Sequence, residues 1–389
     1  MTREAVIVEA VRTPLGKRNG KLKDWHPVDL LAEVLNETVA RSGIDASRVD
    51  DVICGCVSQV GEQSLNVGRN AWLAAGLPEE VPATTVDRQC GSSQQAAHFA
   101  AQGVLAGAYD IAIACGVENM TRVPMGSSIQ SGGFPFSDRL MSRYESGLVQ
   151  QGISAEIIAE RWSIGRQESD EFGARSHELA GQATGSGAFK NEIFPIKVET
   201  EEGTELFEND EGIRTPNIEK MGQLAPAFKE DGVVTAGNSS QITDGAAALI
   251  ITTPEKAKEL GLTPRARFHS FALAGTDPIS MLTGPIPATQ KVLKRAALDL
   301  KDIDLVEINE AFATVCLAWK KELGIDEAWF NDHVNVHGGA IALGHPLGAS
   351  GARLMTTLLN ALEQRGGRYG LQTMCEGGGL ANATIIELL

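Results

Sequence analysis

The chain has 389 residues, 43% hydrophobic and 22% charged, enough for two to three domains and a large buried core. Its formal net charge of −16 argues against nucleic-acid binding, which rests on basic surface. No apolar run reaches the roughly 18 residues of a membrane helix. The N-terminal MTREAVIVEAV resembles neither a signal nor a transit peptide, so a cytoplasmic enzyme with no membrane partner is the expectation.

In chain order, AVIVEAV (5–11) reads as a buried strand. Residues 28–42 carry apolar side chains at helical spacing and stop at Gly43. VDDVICGCVSQV (49–60) reads as a strand running into a polar loop, followed by a helix over 66–75. Strand and helix signals alternate along the chain, the pattern of an α/β protein.

The stretch 86–120, VDRQCGSSQQAAHFAAQGVLAGAYDIAIACGVENM, has a later counterpart in 334–379. Each holds a Gly/Ser loop, an Ala/Leu-rich helix, a Gly-Tyr or Arg-Tyr turn and a strand ending in cysteine. Residues 49–58 pair similarly with 302–313. The chain therefore reads as a duplicated βαβ-rich half. Ligands in such sheets lie beyond the C-terminal strand ends, where Cys90, Asn309, His345 and Cys375 fall. Between the halves, 121–248 changes texture. It holds SSIQSGGFPFSD, an amphipathic helix over 155–180, and Arg139, Arg143, Arg161, Arg166, Arg175 and Arg214. An inserted cap is the expectation.

The six cysteines (54, 56, 90, 115, 316, 375) are not spaced as a secreted disulfide framework. Cys54-x-Cys56 is half a metal site with no second half, so zinc is not expected. Cys115 and Cys316 read as structural. Cys90 precedes Gly91, Ser92 and Ser93, which open an Ala-rich helix, and a thiol at a helix N-terminus has its pKa lowered by the dipole. His345 stands between Gly344 and Pro346, an imidazole on a rigid loop suited to proton transfer, with His337 as a supporting rival. Cys375 is followed by Glu376 and three glycines, whose freed N–H groups suit an oxyanion hole beside an acid/base thiol. Asn309 and Glu310, alone, read as a helix cap.

Together DRQCGSS (87–93), GNSSQITDGAAA (237–248), TGPIPA (283–288), NEAFA (309–313), GGAIALGHPLGASG (338–351) and CEGGG (375–379) resemble one family across essentially the whole chain. That family is the thiolases, acetyl-CoA C-acyltransferases. The resemblance implies a five-layered αβαβα sandwich. Residues 1–120 with about 249–268 would form one half, 121–248 the cap, and 269–389 the other half. It implies Cys90 as the nucleophile that carries the acyl group, His345 as its activator, and Cys375 as the acid/base at the α-carbon. Asn309 would hold a water that forms one oxyanion hole with His345; the N–H groups of Cys90 and Gly377 would form the other. Arg214 and Ser240 match positions that contact coenzyme A, which is a substrate, and no cofactor is implied. Phe312 would line the pocket, and homodimers or dimers of dimers are implied.

Short-chain biosynthetic members carry His-Met-Gly where this chain reads VQQGISAE (149–156), while Met281 remains. Gln151 in place of that methionine opens the acyl pocket. The expectation is therefore thiolysis of a longer, branched or ring-bearing 3-ketoacyl-CoA, a form reminiscent of bacterial thiolases for sterol side chains. An acetoacetyl-CoA enzyme, a decarboxylating ketoacyl synthase and a non-catalytic acyl-CoA carrier are the competing readings.

Overall fold

A computed structural model describes residues 3–130, 132–144 and 147–389. The first half contributes β1 (Val6–Arg12), a short β2 (Gly16–Lys17), α1 (Pro27–Ser42), β3 (Asp51–Gly55), α2 (Val67–Ala74), β4 (Ala83–Val86), α3 (Ser92–Ala106) and β5 (Ile111–Asn119). After it come α4 (Asp138–Met141), α5 (Gln151–Arg161), α6 (Arg166–Ser186), the hairpin β6 (Ile196–Thr200) and β7 (Gly203–Phe207), and α7 (Ile218–Gly222). The chain returns to the sheet through β8 (Thr243–Thr252), then α8 (Pro254–Leu260). The second half supplies β9 (Ala266–Gly275), α9 (Pro285–Ala296), β10 (Leu305–Ile308), α10 (Ala313–Glu322), α11 (Glu327–His333), α12 (Ser350–Arg365), β11 (Tyr369–Glu376) and β12 (Leu380–Leu388).

The sequence repeat is a repeat of topology. In the first half β4-β3-β5-β8-β1 are neighbours; in the second, β10-β11-β12-β9. β3 runs parallel to β4 and β5, and β5 antiparallel to β8. In the same way β10 runs parallel to β11 and is bridged in parallel to Val334, while β11 runs antiparallel to β12. The halves meet where β1 pairs with β9 only at Val6–Arg267 and Ile7–Ala266.

α3 and α12 pack on each other and on strands of both halves, forming the central layer. α1 and α2 cover the outer face of the first half's strands; α9 packs on β9, β12 and β11 of the second half, and α10 against α5, α6 and α9. Three apolar clusters fill the spaces between these layers. The central crossing is tight: a methyl at Gly351 would lie 2.1 Å from the Gln94 backbone nitrogen, so only glycine admits the approach.

Two expectations are corrected. The segment outside the sheet ends at Ile242, because β8 begins at Thr243; a boundary at 248 would cut this strand. DGAAA is a weak strand former, yet all ten residues of β8 are buried, and small side chains suit a central strand packed on both faces. The single helix over 155–180 is two helices, α5 and α6. Ser163 takes a left-handed conformation (φ 50°) and Gly165 caps α6, so the apolar periodicity continues across a turn.

Candidate active site

Cys90 lies between β4 and α3. Gln89 before it is left-handed (φ 49°), a costly conformation for a side-chain-bearing residue. Asp87 holds it, accepting from the Gln89 backbone N–H at 2.6 Å, and the Ser92 hydroxyl donates to the Gln89 carbonyl at 2.6 Å. Gly91 is the helix cap, with α3 starting at Ser92. The thiol is buried, sharing an apolar cluster with Met120, Leu347, Leu354 and Met374. Its pKa is pushed up to about 12, first by burial and then by Glu376; its own N–H, the Gln151 side chain and the Gly377 N–H pull the other way. The lowered pKa expected from the helix dipole is thus reversed, because desolvation exceeds the dipole. At rest the group is a thiol, and a base must take its proton.

His345 is the imidazole of this site. It is buried, and burial holds its pKa down at about 3, so it is neutral. Its Nδ1 lies 2.5 Å from Ser350 Oγ, and its Nε2 lies 3.3 Å from Asn309 Nδ2. Ser350 donates to the Pro346 carbonyl at 2.8 Å, so its oxygen accepts from Nδ1–H and Nε2 is left as the lone-pair nitrogen. The loop is fixed at His345 N–H, which meets Gln241 O at 3.2 Å and Thr243 Oγ1 at 3.1 Å. Gly344 (φ 110°) fits here because a methyl would sit 2.2 Å from Thr243 Oγ1. His337 lies apart, edge-on to Phe189 at 5.7 Å.

Cys375 is on β11, fully buried, its pKa raised by burial and next by Cys90, which places the two sulfurs within electrostatic reach. Gly377, Gly378 and Gly379 form the turn to β12; Gly378 (φ 82°) and Gly379 (φ 80°) are left-handed. Gly377 meets a different demand. A methyl there would lie 3.1 Å from both Gln151 Nε2 and Gln89 Oε1, and its N–H points at Cys90. Asn309 and Glu310 are not a helix cap, since α10 starts at Ala313 without a side-chain cap. Asn309 faces His345, and Glu310 accepts from Ser176 Oγ, Asn335 Nδ2 and Ile341 N–H, locking the strand end.

Beyond this centre is a cavity of about 300 Å³ lined by His177, Arg214, Lys220, Met221, Gly237 and Gln241, among others. Ser240 does not line it, although the next residue, Gln241, does; the Ser240 N–H is bonded to Ala311 O at 3.0 Å. Phe312 and Met281 share the apolar cluster that contains Cys375. Phe312 meets Phe228 edge-on at 6.0 Å, and Phe228 packs over Gly152, next to Gln151. Of the cap arginines, Arg175 is spent on the Asn331 and Val334 carbonyls and Arg166 on Asp170. Arg214 is the one that lines the cavity.

Three side chains that sequence reading passed over complete the centre: Ser350, Phe228 and Glu118. The Glu118 carboxylate, fully buried, accepts from Val57 N–H, Ser58 N–H, Gln63 Nε2 and Gly348 N–H at 2.8–3.0 Å. It ties the end of β5 to the loop bearing His345. Its signal was the strand end GVEN, the counterpart of CEGGG in the repeat.

Two buried thiols and a neutral imidazole at the strand ends of a duplicated α/β sandwich are a chemistry suited to acyl transfer. The family model of the thiolase N-terminal domain matches residues 5–255, and that of the C-terminal domain residues 262–388. This chain belongs to the thiolase family. It is 51% identical to a steroid 3-ketoacyl-CoA thiolase of Mycobacterium tuberculosis, over 99% of this chain and 94% of that one. It is 45% identical to a 3-ketoacyl-CoA thiolase of Vibrio vulnificus, over 99% of both. The crystal structure of the Bacillus anthracis acetyl-CoA acetyltransferase matches at TM-score 0.90 and 40% identity, over 100% of this chain and 99% of that one. That of human mitochondrial 3-ketoacyl-CoA thiolase matches at 0.90 and 37%, over 100% of both.

Proposed function

We propose that this protein cleaves a 3-ketoacyl-CoA with coenzyme A, giving acetyl-CoA and a shortened acyl-CoA, through an acyl group on Cys90. The observation that carries this reading is the pairing of Cys90 and Cys375 as buried, protonated thiols around the Gly377 N–H.

Each group has a step suited to its state. His345 Nε2 takes the Cys90 proton, and the sulfur attacks the 3-keto carbon. The bond between C2 and C3 then breaks, and its electron pair becomes the acetyl-CoA enolate. Cys375, which holds its proton at rest, gives it to C2, and acetyl-CoA leaves. Coenzyme A next loses its thiol proton to the Cys375 sulfur and attacks the acyl carbon. Cys90 leaves as thiolate and recovers its proton from His345. Asn309 with His345 on one side, and the N–H groups of Cys90 and Gly377 on the other, are the donors for the two oxygens that gain charge. The cavity lined by Arg214 suits coenzyme A, with the guanidinium available to its phosphates.

For substrate, Gln151 reaches Cys90, Phe228, Phe312 and Met281 would line the acyl pocket, and the steroid-acting relative supports a bulky acyl group. Met125, Phe134 and Phe136, exposed after β5, support self-association as a homodimer or homotetramer.

The test has two arms. Incubation with labelled acetyl-CoA should leave an acyl group on protein that Cys90→Ala abolishes, while Cys375→Ser keeps that label and loses carbon–carbon cleavage. Cys90→Ala that still labels would end this reading. CoA-dependent cleavage of acetoacetyl-CoA beside a ring-bearing 3-ketoacyl-CoA then decides the pocket. A higher kcat/KM for acetoacetyl-CoA would make the enzyme a short-chain one.

A further inference from the structure

We propose that Glu376 is a positioning residue for the nucleophile: held as a neutral acid, its O–H donates to Asn382 Oδ1 beside Gly91, and its ionisation slows chemistry at Cys90. The inference rests on Cys90 being the acyl carrier.

β11 and β12 pair Met374 with Asn382 and Glu376 with Leu380, so Glu376 and Asn382 project from one face, toward α3. Asn382 Nδ2 donates to the Gly91 carbonyl at 3.2 Å, which turns its Oδ1 away as an acceptor. A methyl at Gly91 would lie 2.0 Å from Glu376 Oε1 and 2.8 Å from Asn382 Oδ1, so the two oxygens converge on one point. Both are buried, and among the described residues no side chain donates to either or to Glu376 Oε2; the one donor near the carboxyl is the Asn382 backbone N–H. Two acceptors facing each other out of water repel unless one carries a hydrogen. Only the carboxyl can.

The surroundings agree. Burial first, and Asp87 in smaller part, raise the Glu376 pKa to about 8, against the charge of Arg88 and the Asn382 N–H. The titratable and charged groups acting on it are Arg88, Asp87, Cys90 and the neighbouring Cys375; the α3 side chains at 94 and 95 are neutral amides. Glu376 is in turn the largest charge acting on Cys90. Above its pKa it places a negative charge beside the sulfur that must itself become negative, both in accepting and in releasing the acyl group. Both half-reactions slow. The neutral acid also pins Asn382, hence the Gly91 carbonyl and the start of α3.

The experiment follows single-turnover acylation and iodoacetamide alkylation of Cys90, read by peptide mass spectrometry, over about pH 6 to 9.5. In the unaltered enzyme acylation should decline with a midpoint near 8. Glu376→Gln keeps a donor to Asn382 but has nothing to ionise. Its acylation should stay flat, and at high pH Cys90 should alkylate roughly threefold faster or more. Asn382→Ala removes the acceptor that favours the neutral acid and should move the midpoint downward. A Glu376→Gln profile that overlays the unaltered enzyme, or an Asn382→Ala midpoint that does not move, overturns the proposal. Alkylation reports the Cys90 thiol whatever its role, so failure here is distinct from failure of the acyl-carrier assignment, which Cys90→Ala labelling tests.

Discussion

Ser350 and His345 form a directed pair of hydrogen bonds: Ser350 donates to the Pro346 carbonyl and accepts from His345 Nδ1, 2.5 Å away. The serine therefore fixes which imidazole nitrogen is bare. Ser350→Ala frees the ring to carry its hydrogen on Nε2, where it cannot act as base. Single-turnover acylation should fall about 10- to 100-fold, with binding of coenzyme A, read by calorimetry, unchanged. Acylation within twofold of the unaltered enzyme would remove Ser350 from the mechanism.

The acid side of the pH profile follows from burial of the same histidine. Its pKa is lowered, so as pH falls the base form persists until about 3 instead of being lost near the ordinary 6.5. Acylation should be flat from about pH 5 to 7. An acid limb centred near 6.5 that Ser350→Ala displaces would show that His345 is hydrated in solution.

Glu118 offers a test in which stability and activity move together. Glu118→Ala strips the partner from the buried Ser58 and Gly348 N–H groups and the part-buried Val57 N–H, and leaves the Gln63 amide only the Ser58 carbonyl, at a cost of roughly 3 kcal/mol or more. Gly348, one of those donors, follows His345 by three residues, so kcat should drop as well as the melting temperature. A variant with lowered melting temperature and intact kcat would mean that the loop keeps its place without the carboxylate.

What was readable in the sequence was local. Glycines around His345, the cysteine before a Gly-Ser helix start and the cysteine before three glycines stand out because such residues specify loop geometry through their own φ and side chains. The repeat was readable because each half carries its own strand–loop–helix. The state of Cys90 was not, because the dipole is set by its neighbours but the desolvation by Leu347, Leu354 and Met374, far along the chain. Ser350 and Glu118 were missed for the same reason: each matters through a partner that only the sheet topology brings near. The break between α5 and α6 escaped because apolar periodicity persists across a turn made by one left-handed serine.

The last expected outcome concerns stability. Glu307 on β10 is buried with Arg353 of α12, their nearest charged atoms 3.8 Å apart. Burial, the largest cause, raises its pKa to about 8, with Arg353 opposing. Glu310, Glu192 and Arg12 also act on it, and Arg12 is itself bonded to Glu192 and Asp210. The sign follows from the direction of the shift. The folded protein binds the Glu307 proton more tightly than the unfolded chain, whose carboxyl titrates near 4.5. This contribution is fully present below the unfolded value and is lost as pH rises through about 8. Glu307→Gln stays neutral throughout. Its melting temperature should therefore gain on that of the unaltered protein as pH rises across that window, whatever their difference at low pH. Parallel melting curves across the window would mean that Glu307 is ionised in the folded protein and that Arg353 outweighs its burial.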